Sequence, residues 1–194
     1  MTKVGIATTL AALLGSLGFL LQSPVVAQSV PALPPAALPS DPVPDQTTAS
    51  YGDWTLRCNR RIDLTPPRRF CEMALIVQKS GEANAQGQVT VGRVARNEPL
   101  KVTAVLPPNV AFKTGPKLVV DGKDALTIEL AWTRCTSGAC FSDASLSDEA
   151  IGKLRSRTEA GRIDYRDGTD REASLPVSFR GFSQALDALA REPD

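Results

Sequence analysis

The sequence predicts an all-β protein, a single antiparallel β-sandwich of about seven to nine strands with small helical additions. Short apolar runs recur after residue 50, and several alternate apolar and polar residues with the period of two that a half-buried strand requires. Gly, Pro and Asn residues separate the runs, as they do in antiparallel proteins. Four cysteines follow an N-terminal export signal and indicate disulfides, because exported thiols are oxidised: Cys58, Cys71, Cys135 and Cys140.

Residues 1–27 have the composition of a signal peptide. Lys3 supplies the positive charge, residues 4–21 are uncharged and mostly apolar, and residues 25–27 place small side chains before a cut at Gln28. An uncleaved membrane anchor is the alternative, since the run is long enough to span a bilayer. Helix-breaking glycines and the cleavage site favour removal. We therefore expect the mature chain to begin at Gln28.

A proline-rich linker, residues 28–49, precedes the folded domain, residues 50–194. Such a segment cannot bury enough apolar surface to offset the entropy of ordering it. Without the signal peptide the chain has 21 basic and 21 acidic residues. This neutral balance argues against a nucleic-acid-binding protein, which usually carries a basic excess.

The apolar faces of the predicted strands can be read from the alternation. Trp54, Leu56 and Cys58 share one face, opposite Asp53 and Arg57. The same alternation recurs in three later runs: Cys71, Met73, Leu75 and Val77; Leu126, Ile128, Leu130 and Trp132; Leu175, Val177 and Phe179. Each run is predicted to be a strand with its apolar face on a common core.

Two hairpins are predicted from turn residues. Asp121 and Gly122 separate residues 117–120 from residues 125–132, and Asp-Gly favours a tight hairpin in which both central residues have positive φ. A second hairpin joins residues 89–96 to residues 100–106 through a turn at residues 97–99.

Two helices are expected among the strands. Ser147 can cap a short helix that ends at Arg155, with acidic residues in its first turn and basic residues in its last. The second helix, residues 183–191, has apolar residues at amphipathic spacing.

The cysteines allow three pairings, and the sequential one, Cys58 with Cys71 and Cys135 with Cys140, is favoured because each closes a short loop. A zinc site is the alternative, but these spacings lack the close ligand pairs of zinc ribbons. Redox catalysis usually requires C-x-x-C, which is absent. We expect two structural disulfides.

Four segments together resemble the invasion-associated locus B (IalB) family of exported bacterial proteins. They are Tyr51-Gly-Asp-Trp-Thr-Leu-Arg-Cys58, Cys71-Glu-Met-Ala-Leu75, Trp132-Thr-Arg-Cys-Thr-Ser-Gly-Ala-Cys-Phe141 and a closing segment that runs from Pro176 to Leu189. The resemblance covers residues 50–190. It implies an immunoglobulin-like β-sandwich located in the periplasm or at the cell surface, in a family associated with entry into host cells, and it supplies no catalytic residue or cofactor.

Catalytic chemistry has little support in this sequence. The chain has no histidine, so a Ser-His-Asp triad or a His-based metal site cannot form. A pair of carboxylates could still serve a glycosidase mechanism. The candidate acids, for which a solvated sheet face is the simpler explanation, are Asp53, Glu72, Glu129 and Asp143.

Arginines cluster in and beside the loop between Cys58 and Cys71, where only Asp63 opposes them: Arg57, Arg60, Arg61, Arg68 and Arg69. Because guanidinium groups bind carboxylates and phosphates bidentately, the last four form a candidate binding patch. The alternative is a loop kept soluble by charge. Trp54 and Trp132 are expected to pack in the core beside the disulfides, with a ligand platform as their alternative.

We therefore expect an exported, non-enzymatic module, without cofactor or metal, that binds a protein or an anionic envelope component. A carboxylate-based hydrolase acting on envelope glycans is the alternative. The expected location is the periplasm or the cell surface, with no nucleic-acid partner and no membrane span after cleavage. The sequence does not specify an oligomeric state.

Overall fold

The computed structural model describes residues 44–78, 85–122 and 125–193, which belong to one compact unit, Pro42–Asp194. The predicted signal peptide and most of the predicted linker lie outside the described residues. Eleven strands and two helices follow one another in the described part: β1 (Gln46–Tyr51), β2 (Trp54–Arg61), β3 (Arg68–Gln78), β4 (Ala85–Gly92), β5 (Lys101–Leu106), β6 (Lys117–Val120), β7 (Leu126–Glu129), β8 (Ala131–Cys135), β9 (Cys140–Ser145), α1 (Asp148–Arg155), β10 (Gly161–Arg166), β11 (Glu172–Val177) and α2 (Phe182–Arg191).

The strands form two antiparallel sheets. The larger sheet has seven strands in the order β1-β2-β3-β4-β5-β9-β8, and the smaller has four in the order β11-β10-β6-β7. This architecture confirms the predicted antiparallel β-sandwich. The strand number does not match, since the described residues contain eleven strands where about seven to nine were predicted.

The core lies between the larger sheet and a second layer made of the smaller sheet and α2. The larger sheet contributes residues such as Leu56, Met73 and Val102, and the smaller sheet contributes residues such as Leu118 and Ile163, all in one buried cluster. The central strands β2 and β5 and the strand β6 show the alternation of buried and more exposed residues that is required of a sheet with one face on a core. The other face of the larger sheet is open to solvent.

Helix α2 covers the part of the larger sheet formed by β1, β2 and β3. Phe182 packs edge-on against Trp54, with ring centroids 5.1 Å apart, and Leu186 is buried in the same cluster. The predicted second helix is therefore confirmed and has a structural role: it extends the smaller sheet into a full second layer.

Helix α1 begins and ends as predicted. The Ser147 hydroxyl accepts a hydrogen bond from the backbone N–H of Ala150 at 3.1 Å, which satisfies one of the free donors of the first turn. Asp148 and Glu149 lie in the first turn and Lys153 and Arg155 in the last, where each sign of charge is favoured by the helix dipole.

The predicted strand over residues 125–132 is wrong in one respect. The chain forms β7 in the smaller sheet, turns at the buried Leu130, and continues as β8 at the edge of the larger sheet. The Leu130 backbone N–H donates to the Pro116 carbonyl at 2.8 Å, which holds the corner. Because both sheets face the same core, the apolar alternation continues through the corner and does not reveal it.

Both predicted hairpins are present, but the turn conformation of the first and the strand end of the second differ from the prediction. Strands β6 and β7 pair, but of the two turn residues only Gly122 has positive φ, and the connection is longer than two residues. Strands β4 and β5 also pair, although β4 ends at Gly92 and not at residue 96. The turn residues thus identified the hairpins, while the strand ends depended on tertiary packing.

Strand β1 starts at Gln46, four residues before the predicted beginning of the domain. It pairs with β2 over its full length, from Gln46 opposite Asn59 to Tyr51 opposite Trp54. Its residues are uncharged and mostly small, and their composition resembles the adjoining linker. Pairing with β2, rather than composition, therefore determines where the fold begins.

Candidate functional site

The two ends of the domain meet in a polar contact between the β1–β2 turn and the segment before α2. The Asp53 carboxylate accepts hydrogen bonds from the Arg180 guanidinium and, at 2.6 Å, from the Ser178 hydroxyl. The hydrogen bond from Arg180, followed by that from Ser178, holds the pKa of Asp53 below its usual value. The Trp54 indole N–H donates to the Ser178 carbonyl at 2.9 Å. Asp53 therefore stabilises this contact.

Glycines allow these two backbone segments to approach closely. Gly52 and Gly181 both have positive φ, at 59° and 86°. A Cβ on Gly181 would lie 1.9 Å from the Tyr51 carbonyl oxygen, and one on Gly52 would lie 2.5 Å from that of Arg180. No other residue fits either position without moving the backbone.

Both predicted disulfides are present, and both join residues directly opposite each other on neighbouring strands. Cys58 pairs with Cys71 across β2 and β3, and Cys135 pairs with Cys140 across β8 and β9. The Cys58 and Cys71 sulfurs and the Glu192 carboxylate lie within 4.8 Å of one another. Because the two sulfurs are bonded to each other, they are not the thiolates that a metal ion requires.

The predicted arginine patch lies at the end of the β2–β3 hairpin. Its four residues belong to the paired strands, whereas the sequence predicted that they lie in a loop. Arg60 is directly opposite Arg69, and Arg61 is directly opposite Arg68. Since side chains alternate along a strand, the first pair is on the side of the Cys58–Cys71 disulfide and the second is on the open face of the sheet. We call these four residues the arginine end.

The four arginines differ in their contacts. Arg61 donates two hydrogen bonds to Asp63, at 2.8 and 2.7 Å, which lowers the pKa of that carboxyl. Arg69 donates to the Thr47 hydroxyl at 2.6 Å and pairs with Glu192 at 3.4 Å. Arg60 and Arg68 are exposed, and their side chains have no acidic partner among residues 44–78, 85–122 and 125–193. Two of the four cations are thus free to meet a ligand.

A groove of about 540 Å³ crosses the open face of the larger sheet and begins at the arginine end. We call it the outer groove. Four cationic side chains line it, Arg61, Arg93, Lys101 and Arg134, against two acidic ones, Glu72 and Glu98, with Phe70 at the hairpin end and Thr90, Gly92 and Thr103 along its floor. Its lining therefore has a net positive charge.

Arg93 and Arg134 were not identified in the sequence. Arg93 has no acidic partner in the described part of the chain, and Arg134 stacks on the Phe141 ring at 4.4 Å. They lie far from the arginine end in sequence, and only the pairing of β2, β3, β4, β5, β9 and β8 brings them to one face. A lone arginine after a strand gives no sequence signal of this arrangement.

Each of the four candidate acids has a basic partner, and two of them, Glu72 and Asp143, are too far apart for a catalytic pair. Glu72 accepts from Arg57 at 2.8 Å, Glu129 from Lys117 at 2.9 Å, and Asp143 lies 3.9 Å from Lys101. Glu72 and Asp143 share the open face but are separated by three strand spacings, about 14 Å. That exceeds the distance of about 5–9.5 Å between the carboxylates of glycosidases.

The tryptophans have different environments. Trp54 is 1% exposed, which confirms its predicted core position. Trp132 is only half-buried; its indole N–H donates to the Thr114 carbonyl at 3.1 Å, and its ring meets the exposed Phe112 ring edge-on at 5.2 Å. The core prediction for Trp132 is therefore only partly right, because β8 is an edge strand.

The fold and the site together define an antiparallel β-sandwich with two cross-strand disulfides and a basic sheet end. Residues 54–190 match the family described as "Invasion associated locus B (IalB) protein", and the chain belongs to this family. A crystal structure of invasion associated protein B from Bartonella henselae is similar, with a TM-score of 0.61 and 18% identity over 74% of this chain and 95% of that chain. No curated protein matches the chain.

Membership confirms the resemblance found in the sequence and associates the chain with exported, invasion-associated bacterial proteins. The identity to the Bartonella protein is low, so that comparison bears on the fold alone. Among the residues that the structure describes, no helix is long and apolar enough to cross a bilayer.

Proposed function

We propose that this protein is a non-enzymatic binding module of the periplasm or cell surface. Its ligand is a protein or an envelope component that presents carboxylate or phosphate groups. The arginine end and the outer groove contact this ligand. The proposal rests on family membership for export and on the geometry of the arginines for binding.

One observation carries the proposal: two like-charged pairs, Arg60–Arg69 and Arg61–Arg68, occupy consecutive paired positions of one hairpin. Like charges directly opposite on neighbouring strands destabilise the pairing, by up to about 1 kcal/mol per pair. The neighbouring Cys58–Cys71 disulfide keeps the strands together despite this repulsion. Because these like-charged pairs disfavour folding, a role of the arginines in binding a ligand explains their presence.

The outer groove extends this surface. The Arg93 and Arg134 guanidinium groups can each bind an anionic group bidentately, while Arg61, already bound to Asp63, adds positive charge at the hairpin end. The hydroxyls of Thr90 and Thr103 offer further hydrogen bonds along the floor. The Thr65–Pro66 peptide bond in the connecting loop is cis. The surface suits an elongated ligand with repeated negative groups.

The proposal predicts that a triple variant, Arg60→Ser, Arg61→Ser and Arg68→Ser, folds normally and loses its partner. Arg69 is retained because it contacts Thr47 and Glu192. Crosslinked partners of the mature protein would be recovered from its own cell envelope with the wild-type and variant chains. We expect strongly reduced recovery with the variant, and binding of the wild type that weakens with salt.

The control variant removes three cations around the β10–β11 hairpin, two exposed and one, Arg166, half-buried: Lys113→Ser, Arg166→Ser and Arg171→Ser. It changes the net charge by the same amount and leaves the arginine end intact. Equal recovery by the two triple variants would refute the proposal. Turnover of envelope glycan by the purified protein would instead support the hydrolase alternative.

A further inference from the structure

The four edge strands of the two sheets differ in how they are protected from pairing with another strand. Natural edges carry charges, prolines, bulges or very short strands that prevent such pairing. Strand β8 has a bulge between Trp132 and Arg134, β11 contains Pro176, and β7 is four residues long and carries Glu129. Among the described strands, β1 alone is an edge with six regularly paired residues and none of these features.

The register defines which backbone groups of β1 point away from the sheet. The Arg60 N–H donates to the Asp45 carbonyl at 2.7 Å, so these two residues form a hydrogen-bonded pair. Hydrogen-bonded pairs alternate along an antiparallel ladder, so Thr47, Ala49 and Tyr51 direct their N–H and C=O groups to β2. The backbone groups of the intervening residues point outward: Gln46, Thr48 and Ser50.

We propose that β1 pairs antiparallel with β1 of a second copy of this chain, about a two-fold axis at Thr48. In this register Thr48 faces Thr48 of the other copy, and Gln46 faces Ser50 in both directions. All three outward residues on each strand then exchange hydrogen bonds with their partners, as a two-fold interface requires. The two seven-stranded sheets become one continuous sheet.

Charge and side-chain size favour a second copy over a foreign peptide. Residues 46–51 carry no charge, so self-pairing places no like charges opposite each other. The same register places the exposed Asp45 opposite Tyr51 of the other copy, next to Gly52 and to Arg180, whose side chain is 76% exposed while it binds Asp53. A peptide ligand gains specificity from side-chain pockets along an edge, whereas Thr48, Ala49 and Ser50 in the middle of β1 are small and exposed.

The dimer has a consequence for ligand binding. A two-fold axis perpendicular to the joined sheet keeps both open faces on the same side, so two outer grooves face the same surface. Two linked sites increase the overall affinity for a ligand with repeated groups. Pairing of one strand buries less than a standard interface of about 1,600 Å², so the dimer is weak and depends on concentration.

The test is sedimentation of the mature protein over a concentration series. We expect the wild type to dimerise and Thr48→Pro to remain a folded monomer, because proline removes an N–H that points away from β2 and is tolerated on an edge. Thr48→Ala keeps that N–H and should still dimerise. Circular dichroism melting shows whether each variant is folded.

Charged substitutions at Thr48 provide a second test that does not depend on proline. Thr48→Lys and Thr48→Glu should each be monomeric, since equal charges would meet on the axis, and an equimolar mixture should form a heterodimer. A wild-type protein that is still monomeric at about 1 mM would overturn the proposal. So would a dimer that persists in Thr48→Pro and in both charged variants, because a different surface would then hold it.

Discussion

At the scale of single residues, Asp53 has a structural role that its sequence position does not reveal. Its carboxylate binds Arg180 and Ser178, which lie 127 and 125 residues further along the chain. The period of two predicts only that Asp53 and Trp54 lie on opposite faces of a strand. A partner so distant in sequence depends on how the two layers pack, and no local pattern encodes that packing.

We predict that Asp53→Ala lowers the free energy of unfolding by about 1–2 kcal/mol at pH 7, because a hydrogen-bonded and partly buried carboxylate is lost. The pKa of Asp53 is lowered in the folded state. Its contribution is therefore complete above the unfolded value of about 3.8 and declines as the pH falls below it. Urea unfolding of both proteins at pH 7 and at pH 3 measures the difference.

Asp63→Ala is the matched control for this prediction. Asp63 is also bound by an arginine, Arg61, but this pair is exposed and local in sequence. We expect little change in stability from its removal, since exposed ion pairs contribute little. Equal losses in the two variants would show that burial and distance in sequence do not distinguish the two contacts.

At the scale of elements, the β2–β3 hairpin combines a stabilising and a destabilising feature at one end. The Cys58–Cys71 disulfide crosses the strands near the two arginine pairs, with only the Asn59–Phe70 pair between them. The sequence predicted the disulfide and the cluster of arginines. It did not predict that the strands continue through the arginines, because charged residues beside prolines are typical of loops.

We predict that Cys58→Ser with Cys71→Ser destabilises the domain more than Cys135→Ser with Cys140→Ser. The chain-entropy model gives about 3 kcal/mol for the longer loop and about 2 kcal/mol for the shorter. Loss of the first disulfide also leaves the arginine pairs without a covalent link beside them. Thermal melting of the two paired variants compares the effects.

Adding Arg60→Ser and Arg68→Ser to the first paired variant separates the two contributions. Relief of the like-charge repulsion should recover part of the lost stability. Equal or reversed melting shifts for the two disulfide variants would show that local packing, and not loop length, determines their contributions.

At the scale of the whole molecule, the sequence was sufficient for the sandwich, the two disulfides and both helices. It was insufficient for the transfer of the chain between sheets at Leu130, because the apolar alternation is the same on both sides of that corner. It also could not show that α2 completes the second layer over β1, β2 and β3. The outer groove was missed for the same reason, since Arg93 and Arg134 meet Arg61 only through strand pairing.

The most direct test of the central claim is photo-crosslinking from a single position beside the arginine end. Asn59 is uncharged, exposed and on the open face of the larger sheet, so a photo-reactive amino acid there leaves every arginine in place. Thr127, exposed on the outer face of the smaller sheet, is the matched control position. In the native cell envelope, a defined adduct should form from position 59, weaken with the triple arginine variant and be absent from position 127. An adduct of equal yield from both positions, or one from position 59 that is unchanged in the triple arginine variant, would contradict the claim that this surface binds the partner.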